Sequence, residues 1–349
     1  MIPRGLLLPL LVACDATIPP DRTVEEPGIH AVGTRRIEIG RTLQVWYPTG
    51  SAPTEVAIES LEIDPVRARY QVLLADVTTD CPTRRIEVAL DGEPTPGPFP
   101  LVLASHCHSC TRLSNATSAI RLASHGFIVI SIDHAGDTLW DTLDGNEGGL
   151  TTEALAARVA DLQRILDTET GFPFDAVDRT RVGVFGHSFG AVTAGRLAQL
   201  DDRVHAAAAL AAPMENPFIP GVLAAEVLEP VLFLVAQEDN SITEFGNMFI
   251  RQNFTKAPSA AWKLEVADAG HWSVSDLTGL VSGFAPGCGA GKRQTDGEDF
   301  TYLDPVTGRA IAASYLTAFF RATLDDDPGA RAYLGQEFPD GIASVEHHD

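Results

Sequence analysis

The chain has 349 residues and a formal net charge of −22, with 45% hydrophobic and 21% charged residues. Those values fit a folded globular protein with a substantial buried core. The acidic balance argues against a nucleic-acid binder, which needs clustered Lys and Arg to neutralise phosphates.

Arg4 precedes an apolar run from Leu6 to Ala13, too short to span a bilayer as a finished helix. The run ends in Leu11-Val12-Ala13-Cys14, which resembles the lipobox of bacterial lipoproteins. That resemblance implies a signal peptide over residues 1–13 and a lipid on Cys14, which becomes the first mature residue. A Pro- and charge-rich tether over 14–30 and one domain over 31–349 would follow. The expected product is an exported bacterial lipoprotein, periplasmic or at the cell surface, attached to a membrane through its N-terminal lipid. An ordinary secretory signal with an incidental cysteine is the alternative. The sequence leaves the oligomeric state open.

Arg35–Ile39 and Leu43–Tyr47 alternate apolar and polar residues around Gly40, which predicts antiparallel strands. A helix is expected near Val66–Ala75 and a strand over Ile86–Leu90, before a Pro/Gly-rich loop over 92–100. Leu101–Ala104 predicts a buried strand, Ser114–Ser124 a helix and Phe127–Ile132 the next strand. Thr152–Thr168 places Leu155, Val159, Leu162, Ile165 and Leu166 at helical spacing. Arg181–Phe185 predicts a strand and Ala191–Ala198 a helix. Strands over Val204–Ala212, Val231–Val235 and Trp262–Val266 follow, with a closing helix over Ile311–Leu324. Such alternation predicts an α/β fold, a mostly parallel sheet with helices on both faces and no second domain. Residues 284–305, Gly-rich and polar, are expected as a loop.

Between the strand at 181–185 and the helix at 191–198 lies Gly186-His187-Ser188-Phe189-Gly190. Strand, sharp turn and helix around G-x-S-x-G are the setting of a nucleophile elbow, and they single out Ser188. A serine hydroxyl needs a base to take its proton, and an imidazole base needs a carboxylate to orient it. Asp239 follows the strand at 231–235 and His271 follows the strand at 262–266, in the chain order Ser, acid, His. Glu238 is the rival acid, while Asp268 reads as a turn residue and His205 as structural. The His187 side chain is expected to pack or bond locally. An oxyanion needs donors: the N–H of Phe189, after the nucleophile, and the N–H of His108, in the turn after Leu101–Ala104. His134, Asp137 and Trp272 are expected to line the cleft. The cluster of His106, Cys107, His108 and Cys110 has zinc-ligand chemistry, but its place at the oxyanion turn of an exported chain favours no metal and no cofactor.

The chain resembles exported α/β-hydrolases related to platelet-activating factor acetylhydrolase and the wider dienelactone-hydrolase-like group, which includes polyester-degrading cutinases. The residues that carry this likeness are Val45–Pro48, Pro100–His106, Leu122–Val129, Gly186–Gly190 and Ala269–Ser273. Where the acetylhydrolase-like pattern has Ser-His-Gly, this chain has Ser105-His106-Cys107. The resemblance implies an α/β-hydrolase fold without a large cap domain, since residues between Leu210 and Val231 are few. It also implies serine-dependent hydrolysis of carboxylic esters through an acyl-enzyme, on short or oxidised acyl chains of small-molecule or lipid esters. A polyester hydrolase is the alternative, followed by an acyltransferase or a non-catalytic binding lipoprotein. Four cysteines remain after Cys14, and an even count in an exported chain favours disulfides. Cys81, Cys107, Cys110 and Cys288 allow three connectivities. A bridge from Cys288 to Cys107 or Cys110 is expected, to tie the 284–305 loop to the oxyanion turn; a Cys107–Cys110 pair competes with it.

Overall fold

The computed structural model describes residues 18–338 and 341–349. The expected signal peptide, the lipidation site Cys14 and the first residues of the expected tether therefore lie outside the described residues. Thirteen strands are described: β1 Ala31–Glu38, β2 Thr42–Thr49, β3 Thr54–Ala57, β4 Arg85–Leu90, β5 Phe99–Ser105, β6 Ile128–Ile132, β7 Val177–His187, β8 Ala206–Leu210, β9 Val231–Ala236, β10 Ala261–Val266, β11 Ala290–Lys292, β12 Asp299–Thr301 and β13 Ala343–His348. The helices are α1 Val66–Asp76, α2 Ala116–Ser124, α3 Leu139–Leu143, α4 Thr152–Asp167, α5 Phe189–Leu200, α6 Thr243–Lys256, α7 Pro305–Leu324 and α8 Pro328–Tyr333.

Eleven strands form one sheet in the order β13-β10-β9-β8-β7-β5-β6-β2-β1-β4-β3. The run from β10 to β6 is parallel throughout. β2 joins β6 antiparallel and pairs with β1 across Gly40, as the alternation of apolar residues requires. This is the α/β-hydrolase fold. Within it the chain leaves β5 to form β6 on one side and β7 on the other. The crevice at the carboxyl ends of β5 and β7 is thus a topological switch point, where open α/β sheets collect their ligands.

Burial follows the two-residue period of the central strands. On β7, Phe185 points to one sheet face and Val184 to the other; on β9, Leu232 and Phe233 divide in the same way. The face of Phe185 is covered by α2 and α7, and the face of Val184 by α4, α5 and α6. α7 packs closely enough that a Cβ on Gly183 of β7 would lie 2.4 Å from the Phe320 ring.

Several features depart from expectation. The tether expected through residue 30 is docked from Asp21 onward: Asp21 pairs with Arg321, Val24 is fully buried, and His30 N–H bonds the Ser124 carbonyl at 3.1 Å. The 284–305 loop contains the β11–β12 hairpin, and β13 adds an antiparallel edge to β10. The cysteines pair as Cys81–Cys288 and Cys107–Cys110. The expected bridge between Cys288 and the oxyanion turn is therefore corrected. Cys107 and Cys110 close their own turn, at a Cα separation of 5.2 Å, and the loop is tied to the segment before β4 instead. Among the described residues no helix is long and apolar enough to cross a membrane.

The Cys81–Cys288 bridge closes a sequence separation of 207 residues. Cys288→Ser should lower the unfolding free energy by about 2–5 kcal/mol, because a long loop regains its entropy in the unfolded chain. Denaturant titration checks this; an unchanged midpoint would show the bridge to be dispensable.

Candidate active site

Ser188 stands between β7 and α5 with φ 56° and ψ −119°, a backbone conformation that costs a non-glycine residue about 1–3 kcal/mol. Two glycines permit this turn. A Cβ on Gly186 would lie 2.0 Å from the Gly190 carbonyl oxygen, and one on Gly190 would lie 2.0 Å from that of Ser105. The elbow is thus pressed against both its own strand and the end of β5. Ser188 N–H bonds the Leu210 carbonyl at 3.0 Å, which anchors it to β8 as well.

The expected acid and base, Asp239 and His271, sit on the loops after β9 and β10. Asp239 is fully buried and His271 is 3% exposed. His271 Nδ1 lies 2.7 Å from Asp239 Oδ2, so Nδ1–H donates there and Nε2 is left as an acceptor. The other carboxylate oxygen, Oδ1, accepts the N–H groups of Ser241 and Ile242 at 2.9 and 3.0 Å. Together the three bonds hold the carboxylate in a fixed orientation.

The His271 loop is held from several directions. His187 Nε2 donates to the His271 carbonyl at 2.9 Å, and Trp272 packs edge-on against both imidazoles. Burial, together with the neighbouring His271, pushes the His187 imidazole well below its ordinary pKa and keeps it neutral. It is a local hydrogen-bonding group, as its place in the elbow implies. Farther along, buried Asp276 accepts the Thr83 hydroxyl at 2.6 Å and the Thr117 N–H at 2.9 Å, tying the loop to the start of α2.

The rival acid has other partners. Glu238 accepts Arg293 and the Gln294 N–H at 2.9 and 2.8 Å, and so holds the loop bearing the β11–β12 hairpin. Asp268, at φ 56°, is a turn residue that also pairs with Arg293.

At the end of β5 the chain turns through Ser105-His106-Cys107-His108-Ser109-Cys110. The disulfide closes this turn and occupies both sulfurs that a zinc site would need as thiolates. His108 is part-exposed, with Nδ1 bonded to Asp137. Among the described backbone hydrogen bonds, neither the His108 N–H nor the Phe189 N–H has a partner. Phe189 opens α5, so its amide belongs to the positive end of the helix dipole. The turn after β5 neighbours β7 directly, with Ser105 in register with Gly186.

Three residues expected along the cleft lie beneath it. His134 is 1% exposed, with Nε2 on Ser105 Oγ at 3.0 Å and Nδ1 on Asp161 at 3.2 Å. Burial, then the Arg158 charge, drives its pKa well below the ordinary value. Asp137 is 5% exposed and paired with Arg158. Trp272, 6% exposed, backs His271 and stacks on Phe284. The chain turns inward after β6, so strand-end placement alone misassigned the first two. The part sequence reasoning missed altogether is Arg158, 2% exposed on α4 among charged and polar partners.

A family profile described as PET hydrolase-like matches residues 107–291. This chain belongs to that family. The match runs from the turn after β5 through Ser188, Asp239 and His271 to β11, and makes the chain an enzyme of the carboxylic-ester hydrolase class. Platelet-activating factor acetylhydrolase of Canis lupus familiaris is 28% identical over a region covering 33% of this chain and 35% of that protein. The chain thus matches about a third of that relative's length. A solved ferulic acid esterase from Streptomyces cinnamoneus superposes with a TM-score of 0.67 at 21% identity, covering 95% of this chain and 99% of that one. That likeness shows the shared fold.

The partners of the two adjacent carboxylates separate their roles. Asp239→Asn should reduce ester turnover by about four orders of magnitude, since the His271 tautomer would no longer be fixed. Glu238→Gln should leave turnover within about tenfold and act on the hairpin loop, because its partners are Arg293 and Gln294. Steady-state kinetics of both variants checks this; the opposite ranking would make Glu238 the orienting acid.

Proposed function

We propose that this protein is a serine carboxylic-ester hydrolase that works through an acyl-enzyme on Ser188. The observation that carries the proposal is the Asp239–His271 pair on the strand-end loops beside the Ser188 elbow. In this reading His271 Nε2 takes the Ser188 proton as Oγ attacks the ester carbonyl. The N–H groups of Phe189 and His108 receive the negative charge that develops on the carbonyl oxygen. Collapse of the tetrahedral intermediate breaks the bond to the leaving alkoxide, which takes the proton from His271. Water, deprotonated by the same imidazole, then releases the acid and restores Ser188.

The preferred substrates are esters of short or oxidised acyl chains. Only a three-residue 3-10 turn, Ala224–Glu226, interrupts the segment between β8 and β9, so no helical cap narrows access there. A polyester reading has its own support. Beside the Asp239 loop, Leu150, Pro213, Phe218, Ile242, Phe245 and Phe249 line an apolar groove of about 320 Å³. Phe218 is 71% and Phe245 52% exposed, a costly display of aromatic surface that suits an apolar or aromatic ester. The family description points the same way.

Ser188→Ala should abolish hydrolysis, by several orders of magnitude, with an unchanged thermal midpoint, since the hydroxyl contributes to chemistry and not to the core. The test is turnover of p-nitrophenyl acetate, butyrate and octanoate, an oxidised-acyl phospholipid and a polyester film by both proteins. Near-normal activity of the variant would sink the mechanism. Preference for the film over acetate would shift the substrate to the polyester reading.

Membrane attachment at Cys14 belongs to the same proposal, supported by the lipobox-like Leu11–Cys14. One acyl-bearing cysteine would supply the anchor. Cys14→Ser should move the protein from the detergent to the aqueous phase on partitioning. Identical aqueous behaviour of wild type and variant would mean an ordinary signal peptide.

A further inference from the structure

One buried side chain has contacts around both residues proposed to offer the oxyanion amides. Arg158 projects from α4 under the turn that follows β5. Its Nη2 donates to the His106 carbonyl and, at 3.2 Å, to Ser105 Oγ. Its Nη1 pairs with Asp137, whose Oδ1 receives His108 Nδ1–H and, at 3.1 Å, the Ser109 N–H. Contacts therefore fall before, on and after His108, the residue that offers one amide.

The same guanidinium also reaches the residue that offers the other amide, through its ring and its carbonyl. It lies over the Phe189 ring at 4.7 Å from the centroid. Its Nε donates to Thr193 Oγ1 at 3.1 Å, and that hydroxyl donates to the Phe189 carbonyl at 3.0 Å. A planar fork with five donors can hold all these partners at once, which an ammonium cannot.

The surrounding charges are arranged to keep the pair ionised. Burial lowers the Arg158 pKa, but Asp137 limits the fall to about 10, so the guanidinium stays protonated at neutral pH. Burial raises the Asp137 carboxyl, yet the bond from His108 and the charge of Arg158 outweigh it and hold it well below the usual range. His106 is pushed down to about 3 by burial and by Arg158. It stays neutral, with Nδ1–H donating to the Cys107 carbonyl at 2.6 Å and Nε2 accepting the His134 N–H at 3.0 Å.

We propose that Arg158, together with Asp137, is a positioning residue that sets the spacing between the His108 and Phe189 N–H groups and so tunes the oxyanion site. The proposal rests on the esterase reading of Ser188. It predicts an effect on charge stabilisation in the transition state, separate from substrate binding and from fold stability.

The test compares an oxygen ester with its thiono analogue, whose larger, weakly accepting sulfur replaces the carbonyl oxygen. Arg158→Met should lower kcat on the oxygen ester by about 10²–10³-fold, the scale of losing one oxyanion donor, while KM moves less than about threefold. The preference for oxygen over sulfur should fall at least about tenfold. Arg158→Lys should recover part of both, because the charge beside Asp137 is kept and the fork is lost. If Arg158→Met does not fold by circular dichroism, Asp137→Asn and Thr193→Val, each close in shape to the original, decide. A reduced oxygen preference in both supports the proposal, and an unchanged preference in either overturns it. Variants that are less stable but keep kcat and the oxygen preference would show a structural role only, and overturn it too. Wild-type protein that hydrolyses no ester would remove the esterase reading and this inference with it. Active wild type with a dead Ser188→Ala, but unaltered Arg158 variants, would remove this inference alone.

Discussion

The close approach of Gly190 to the end of β5 is the constraint on which the site depends. With the Ser105 carbonyl oxygen 2.0 Å from where a Cβ would be, only glycine lets the first turn of α5 rest against the next strand. That contact places the helix N-terminus beside the turn that carries His108. It also forces Ser188 into its positive-φ conformation, because the chain must reverse from strand to helix within one residue. Strain of this kind persists only where the surroundings over-determine it. Here the Ser188 N–H bond to Leu210 and the parallel register of β5, β7 and β8 do so.

A cost comes with that geometry. The carboxyl ends of β5 and β6 turn inward, so polar backbone and side chains are carried below the surface. Ser105, His106, His134, Asp137, Arg158 and Asp161 are all buried there. Removing one member of a buried ion pair in such a place typically costs about 3–5 kcal/mol, because the partner is left charged and unpaired. The network is tolerable because nearly every group is engaged: Arg41 closes it on Asp161 at 2.9 Å, and Thr193 closes it on α5. A network bonded this extensively favours one arrangement of the turn, since displacing any group would leave a buried partner unpaired.

The fold, the elbow at Ser188 and the strand-end loops that join Asp239 to His271 were legible because each rests on a local pattern. Apolar runs gave the strands, G-x-S-x-G in its setting gave the elbow, and strand-end loops gave Asp239 and His271. What stayed hidden depends on contacts between distant segments. Cysteine spacing does not reveal that residue 81 reaches the loop bearing Cys288, while Cys107 and Cys110 are satisfied by each other. The docking of residues 21–30 rests on Arg321, Arg121 and the end of α2, which a Pro-rich composition conceals. Arg158 is the instructive case. It falls three residues after Leu155 and one before Val159, on the apolar stripe of α4, and so does Asp161, one before Leu162. Charges on an apolar stripe are a readable sign of a buried polar network, and this one lay in plain view.

The two sides of the crevice are built on different principles. Beneath the turn after β5 the groups are buried, charged and mutually bonded, so small displacements there are resisted by several partners at once. Beside Asp239 the wall is apolar and open, formed by Phe218, Phe245 and Phe249 from the segment after β8 and from α6. That wall meets the fixed side through one short link, since Ile242, which lines the groove, donates its N–H to Asp239 Oδ1 at 3.0 Å. In the proposed esterase, changes in the aromatic wall would therefore bear on which ester fits, apart from the buried network beneath the turn after β5. Changes at Ile242 are the exception, because they reach the carboxylate that orients His271.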